Sequence, residues 1–491
     1  MTIGPVRSGL FTDLYELTMA QGYFVLHPDR RAVFDMFFRS CPFDGGYTVC
    51  AGIAPLLESL SNLRFSDDEI EYLDGLGTFD EDFLDYLAGF RFKGNVYAVP
   101  EGSLLFPDEP MLRIHGNIIE AQIVESLVLN TVNFQTLIAT KASRIVDVAG
   151  ETKVLEFGLR RSQGADGSIS AVRAAAIGGV DGTSNVLAGK LFDIPVMGTM
   201  AHSWIMSFES ELESFRAYAR QYPDNCILLV DTYDTIESGI PNAIEVLSEL
   251  KSQGRNGTMG IRLDSGDLDY LSTRARSMLD EANLEDALIV ASNQLDERVI
   301  EQIRSSGDNV DAWGVGTKLA TGWGDPALDG VYKLAAVSEG SEIQPRMKLS
   351  DHPEKTTNPG VKNVLRFVND NESPLADLVC LEEEIPELLR QVKEHRPIRL
   401  NHPVVEYEGI TLEDYSTARP LLQPMMKEGK PIGRQPSVEE LSRRRRSEVK
   451  KLHPTFRRLL NPHVYKVSLS DKLALLKMEM IRNRGRGNDK S

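Results

Sequence analysis

The chain has 491 residues, 42% of them hydrophobic and 26% charged, and its 72 acidic against 54 basic residues give a formal net charge of −18. That length exceeds one ordinary core and implies two or three domains, or one barrel with a large attachment, in a soluble globular protein. The negative field repels nucleic acid, so any phosphate site has to be made locally, from backbone amides and a few arginines.

In chain order, residues 32–39 and 45–51 alternate like strands of a mixed sheet. Helical segments follow over 53–63 and 67–75, and 95–99 and 111–114 return to strand, the pattern of an α+β domain over 1–133. A long helix over 119–133 leads toward a second domain, 134–337. There, short β-rich runs end in polar or glycine residues, and amphipathic helices such as 241–253 and 296–306 fill the gaps. The runs are KVLEFG, IPVMGTM, NCILLVDTYD, TMGIRLDSGD, DALIVASNQ, NVDAWGVGT and GVYKLAAV. From IPVMGTM to NVDAWGVGT their starts lie roughly 23 to 33 residues apart, one strand plus helix and connections. The series predicts an α/β fold whose parallel sheet closes into a barrel, with chemistry at the C-terminal strand ends. An open doubly wound sheet is the alternative, but no GxGxxG follows a first strand.

A C-terminal segment, 338–480, is richer in charge and proline, with a strand-like VKNVLRF and a helix over 472–480. The tail from 481 is expected to be disordered. The basic run Arg443 to Arg446, flanked by Glu439, Glu440 and Glu448, reads as a solvated helix face rather than a nucleic-acid patch. No apolar stretch is long enough to span a bilayer, and the first residues lack the pattern of a signal peptide, so a cytoplasmic location is expected. Four scattered cysteines, Cys41, Cys50, Cys226 and Cys380, form no pair at metal-ligand spacing and read as reduced core thiols.

The strand ends carry more polar groups than a bland barrel needs. Asp231 and Asp234 end one apolar run; Arg262, Asp264, Ser265 and Asp267 follow another. A single aspartate in such a place is explained by helix capping. Two pairs favour a site that holds ribose hydroxyls or Mg²⁺ through water. The turns 182–185, 292–294 and 314–317 put small residues between strand and helix, which lets amides point at a phosphate. GVGTK is not a Walker motif and implies no nucleotide fold. His202, in GTMAHSWIMSF, would by itself be read as a hydrogen-bonded structural histidine.

FTDLYELTMAQGYF, FFRSCPFDGGYTVCAGI, NFQTLIATKASR, EFGLRRSQGADGS, GGVDGTSN, GTMAHS, RLDSGDL, SNQLDE, GVGTKL and GVYKL form an ordered set from about residue 11 to 475. In order and spacing this set resembles the nicotinate phosphoribosyltransferases. The resemblance implies an irregular (β/α) barrel of the type II phosphoribosyltransferase kind, with an α/β sandwich domain built from both ends of the chain. It implies synthesis of nicotinate mononucleotide and pyrophosphate from nicotinate and phosphoribosyl pyrophosphate, the first step of NAD salvage from nicotinate. The reaction would be coupled to ATP, assisted by Mg²⁺, and carried out by a homodimer.

By the same resemblance, His202 is the transiently phosphorylated histidine and Asp264 orients it or the ribose. Tyr15 and Phe157 sandwich the pyridine ring, with Tyr15 offered across a dimer interface. Arg160, Thr199 and Arg262 lie near nicotinate or the phosphates, Gly316 and Thr317 form the phosphoribosyl phosphate loop, and Asp231 holds ribose hydroxyls or the metal environment. Ser184 stands where nicotinamide-using relatives carry an aspartate. An aspartate about 4 Å from the nicotinate carboxylate would be unfavourable by ~4 kcal/mol at an effective dielectric of about 20. Serine removes that repulsion, so nicotinate is the expected base. Three rival expectations stand beside this one: a nicotinamide-specific enzyme, an ATP-independent quinolinate-type enzyme, and a silent sensor of a pyridine metabolite.

Overall fold

The apolar runs after residue 153 form one parallel sheet: β1 (Lys153–Glu156), β2 (Gly182–Thr183), β3 (Asn225–Leu229), β4 (Thr258–Leu263), β5 (Leu288–Ser292) and β6 (Ala312–Val315). Their spatial order is β2-β1-β6-β5-β4-β3, and every neighbouring pair is parallel. β3 is buried over its last four residues and β6 throughout, as expected of parallel strands covered on both faces. Helices follow the strands: α1 (Gly164–Ile177), α2 (Val186–Phe192), α3 (His202–Met206), α4 (Glu211–Gln221), α5 (Ile240–Ser252), α6 (Leu268–Glu281), α7 (Glu297–Ser306) and α8 (Thr317–Ala320). The sheet curls into half a barrel. Edge strands β2 and β3 do not pair with each other, and a lone bridge joins Thr183 to Val196 beside β2.

This computed structural model describes residues 6–487 apart from 308, 340–341, 351, 353–354 and 406–407. It divides into two units, Lys141–Pro326, which holds the parallel sheet, and Met1–Thr140 with Ala327–Ser491. Two of the expected barrel strands are placed differently. IPVMGTM contributes only the Val196 bridge, and the short β2, within a stretch that reads as a turn, takes its place in the sheet. GVYKLAAV lies in Gly330–Glu339, which pairs antiparallel with Arg31–Phe38 in the second unit. A two-residue strand has no periodicity to display, and β-propensity does not encode a strand's partner.

The second unit is built from both ends of the chain. Arg31–Phe38 lies between Gly330–Glu339 and Leu112–Asn117, and the same sheet continues through Asn95–Ala98 to Gln423–Lys427. A further sheet pairs Lys362–Val368 antiparallel with Pro374–Leu381. One continuous core joins Met36, Phe38 and Ile114 to Val364, Val379 and Leu473. The helix expected over 119–133 is two helices, Ile118–Ile123 and Glu125–Ala149, broken at Val124. Helix Val438–Lys451 starts in a capping box, with Ser437 accepting from Glu440 N–H and the Glu440 carboxylate accepting from Ser437 N–H. The basic run on it is only half a solvated face: Arg443 and Arg446 are exposed, but Arg445 is buried and Arg444 donates to the Glu101 carbonyl at 2.8 Å. A helix turns about 100° per residue, so four consecutive residues cannot share one face.

Helix Asp471–Gly487 continues into the stretch expected to be a disordered tail, and residues 488–491 lie outside those described. Cys50, Cys226 and Cys380 are buried, and burial pushes the Cys226 thiol up to about 12. No helix among the described residues is long and apolar enough to cross a membrane.

Among the described residues of the second unit the most buried cation is Arg366, 1% exposed. Its Nε and Nη2 meet the Asp377 carboxylate at 3.0 and 2.6 Å, and its Nη1 donates to the Leu104 carbonyl at 2.9 Å. Tyr465 donates a further hydrogen bond to Asp377. Glu109 lies 3.7 Å from the guanidinium, and burial beside Asp377 holds its carboxyl well above the usual carboxylate range. The working pair is therefore Arg366 with Asp377. Asp377→Ala should destabilise this unit by about 3–5 kcal/mol, since it strands a buried cation. Glu109→Gln keeps the acceptor for Phe106 N–H and should lose far less; denaturant unfolding of both variants checks the order.

Candidate functional site

The paired aspartates at the strand ends divide into one cap and one site residue each. Asp234 accepts from Ile236 and Glu237 N–H, and Asp267 accepts from Tyr270 N–H at the start of α6. Asp231 and Asp264 instead tie neighbouring strand ends together. Asp231 Oδ2 accepts Asp264 N–H at 3.1 Å and the Ser265 hydroxyl at 2.5 Å.

Arg262 is the hub of the cluster. It sits on β4 between the buried Ile261 and Leu263, which face the other side of the sheet. Its Nε donates to Ser292 Oγ at 2.9 Å, Nη1 to Thr199 Oγ1 at 3.0 Å and to the Met200 carbonyl at 3.3 Å, and Nη2 to Asp264 Oδ1 at 3.0 Å. The planar fork thus fixes β5, the 199–200 loop and the end of β4 at once. The guanidinium carbon is 5.9 Å from the centroid of the Phe157 ring.

Asp264 also accepts from the Ser292 hydroxyl at 2.5 Å. Burial raises its pKa, but the Arg262 charge, these hydrogen bonds and His202 outweigh burial and hold it below the usual carboxylate range. His202 opens α3. Its Nδ1 lies 3.1 Å from Thr232 Oγ1 and its Nε2 3.8 Å from Asp264 Oδ2. When Nδ1 carries the hydrogen and donates to Thr232, Nε2 keeps a lone pair directed toward the strand ends.

Asp231 Oδ1 is buried without a hydrogen-bond partner. Among the described residues no group of three His, Cys, Asp or Glu side chains gathers as a metal cage. Mg²⁺ characteristically keeps several waters and takes one or two carboxylates plus substrate phosphates. One orphaned carboxylate oxygen fits that demand.

Phe157 follows β1, and its N–H continues the ladder to the Val315 carbonyl at 2.8 Å. A Cβ on Gly314 would lie 2.6 Å from the Phe157 ring, so glycine is required there for the ring to lie on β6. Gly316 precedes α8, whose first residue is the exposed Thr317. Ser184 is half-buried after β2, and its N–H donates to the Glu156 carbonyl at 3.0 Å. Arg160 is exposed in the turn Leu159–Arg161 and belongs to no bond of the cluster. Tyr15 lies in the other unit, 48% exposed on helix Leu14–Leu26.

The structure therefore brings Thr199, His202, Asp231, Arg262 and Asp264 together in one bonded network, with Phe157 beside it. The sequence analysis placed Ser292 only in a phosphate-facing turn and gave Thr232 no role; the Ser292 hydroxyl in fact bonds Arg262 and Asp264, and Thr232 bonds His202. A signal for Ser292 existed in the polar SNQ that ends an apolar run. The following Asn293 and Gln294 have φ of 83° and 50°, a left-handed pair that side chains rarely adopt and that marks a constrained turn.

A curled parallel sheet bearing a cationic hub and carboxylates at its C-terminal ends defines a type II phosphoribosyltransferase fold. A nicotinate-nucleotide pyrophosphorylase from Pyrococcus furiosus shares that fold, with a TM-score of 0.65 at 23% identity over 90% of this chain and 95% of that one. The chain belongs to the nicotinate phosphoribosyltransferase family: models of its N-terminal domain, the family itself and its C-terminal domain match residues 10–133, 152–392 and 361–477. It is similar to nicotinate phosphoribosyltransferase of Bacillus subtilis, 42% identical over 96% of this chain and 95% of the relative. It is similar also to the crystal structure of human nicotinic acid phosphoribosyltransferase, with a TM-score of 0.82 and 32% identity over 96% of this chain and 99% of that one.

A depressed carboxylate pKa implies stability that is present above the unfolded value and lost as pH falls through the folded one. The difference in unfolding free energy between the wild type and Asp264→Asn should therefore be constant near neutrality and shrink below about pH 4. Unfolding titrations at several pH values check this; a gap that widens on acidification would contradict it.

Proposed function

We propose that the protein joins nicotinate to phosphoribosyl pyrophosphate, giving nicotinate mononucleotide and pyrophosphate, with ATP coupling through a phosphohistidine at His202. The observation that carries this reading is the network centred on Arg262, placed at the strand ends of a chain that belongs to this family.

The pyridine nitrogen attacks C1 of the ribose, the N–C1 bond forms, and the C1–O bond breaks with its electron pair leaving on pyrophosphate. Positive charge grows on the ribose as negative charge grows on the leaving group, so the work of the site is positioning and electrostatic stabilisation. Arg262 is already oriented by four hydrogen bonds and needs no reorganisation to serve as the cationic stabiliser. Phe157 offers one face to the ring, and Tyr15 of a second copy in a homodimer offers the other. Ser184 and Arg160 address the carboxylate, while Gly316 and Thr317 hold the ribose phosphate. Asp231, with its free Oδ1, would hold Mg²⁺, which when bound neutralises charge on pyrophosphate. In the coupled reaction His202 takes the γ-phosphoryl group of ATP, releasing ADP. Water then cleaves the P–N bond to return imidazole and phosphate.

Pyrophosphate release with nicotinate or nicotinamide, each with and without ATP, tests the reading: release with nicotinate, accelerated by ATP, is expected. Release with nicotinamide alone would overturn the base assignment, and release with neither base would bring the sensor forward. His202→Ala should abolish ATP stimulation while slow ATP-independent transfer remains; equal stimulation in that variant removes His202 from the coupling role. Ser184→Asp should raise the KM for nicotinate by on the order of a hundredfold or more through charge repulsion, and move preference toward nicotinamide.

A further inference from the structure

Glu156 ends β1 and is 1% exposed, yet the reaction outlined above gives it no part. A carboxylate buried that deeply is tolerated only when its oxygens are hydrogen-bonded. Oε1 accepts the Gly158 N–H at 2.5 Å, and Oε2 accepts the Thr183 hydroxyl at 2.7 Å. Thr183 Oγ1 in turn accepts the Asn185 N–H at 3.0 Å, and Asn185 caps α2 through Ala188 N–H.

The backbone ladder between β1 and β2 is only two residue pairs long and ends at Glu156 and Thr183. Beyond that point one backbone bond remains, from Ser184 N–H to the Glu156 carbonyl at 3.0 Å, and the Glu156 side chain adds the link between Thr183, beside Ser184, and Gly158, beside Phe157. There is no slack in the arrangement: a Cβ on Gly158 would lie 2.6 Å from Glu156 Oε1 and 2.3 Å from the Ala320 Cβ. Gly158 N–H can only donate, and the Thr183 hydroxyl already accepts from Asn185 N–H, so the span is best met by a group that accepts at both ends. Glutamate does this; glutamine offers one acceptor and one donor, and aspartate is one methylene short.

We propose that Glu156 is the positioning residue of the pyridine subsite: its carboxylate fixes the separation of Phe157 and Ser184 and so sets both the affinity for nicotinate and its selection over nicotinamide. This rests on the assignment of Phe157 and Ser184 to the base. The phosphoribosyl phosphate loop keeps a tie that the Glu156 side chain does not make, the ladder bond from Phe157 N–H to the Val315 carbonyl.

The test is steady-state kinetics of Glu156→Gln, Thr183→Val and Thr183→Ser beside the wild type, with thermal unfolding of each. Glu156→Gln and Thr183→Val should raise the KM for nicotinate at least tenfold, leave the KM for phosphoribosyl pyrophosphate within twofold, and lower the nicotinate to nicotinamide preference. Thr183→Ser, which keeps the hydroxyl, should stay within twofold of the wild type throughout. A parallel rise of both KM values, or unaltered nicotinate KM in both disruptive variants, overturns the role of Glu156. Should Glu156→Gln fail to fold, the contrast between Thr183→Val and Thr183→Ser decides alone. Absence of pyrophosphate release from the wild type with nicotinate would instead overturn the functional reading beneath it.

Discussion

The parallel sheet depends on one guanidinium to give its strand ends a common geometry. Arg262 donates to side chains or carbonyls at three different strand ends and loops, and each acceptor is itself held: Ser292 by Asp264, and Asp264 by Asp231 through its backbone N–H. A lysine could not replace it, since a point charge with rotatable donors does not fix three directions in one plane. The charge matters as much as the shape. In a chain with a net charge of −18, Arg262 is the cation that offsets the strand-end carboxylates Asp231 and Asp264, the local balance an anionic substrate needs.

Around that hub the aspartates follow a consistent division. The residue nearer the strand, Asp231 or Asp264, links strands, and the residue nearer the helix, Asp234 or Asp267, caps it. Capping satisfies helix-terminal amides and is a local event; linking requires two strands already side by side. Catalytic geometry here is therefore a by-product of the parallel register, which places the end of β4 between β3 and β5. The same logic reaches the far edge of the sheet, where the side chains of Glu156 and Thr183 join two turns beside a ladder of only two residue pairs.

Much of this was legible in the chain. The alternation of apolar run and amphipathic helix announced a parallel α/β sheet, and the polar residues that close those runs announced where chemistry would lie. Asp231, Arg262 and Asp264 could be singled out because charge at the end of a buried strand needs a reason, whereas His202 stood out only through the family resemblance. Thr232 could not be singled out, nor could the part of the Ser292 hydroxyl, because a hydroxyl acquires meaning only from what it faces. β2 was missed because two residues carry no period, and GVYKLAAV was given to the wrong sheet because a strand does not name its neighbour.

The sequence by itself determined which segments are strands and helices, where the caps fall and which side chains could bear charge, since these depend on interactions within a few residues. Only tertiary structure decided that Asp264 is held below the usual carboxylate range despite its burial, that Asp231 has an oxygen to spare, and that Glu156 links two turns. Asp264 answers to Ser292, 28 residues on, as well as to Arg262 two residues back; Asp231 is met by groups 33 and 34 residues away, and Glu156 by Thr183 at 27. Hydrogen bonding and desolvation act through space, and the spatial neighbour of a strand end is another strand end, not the next residue along the chain.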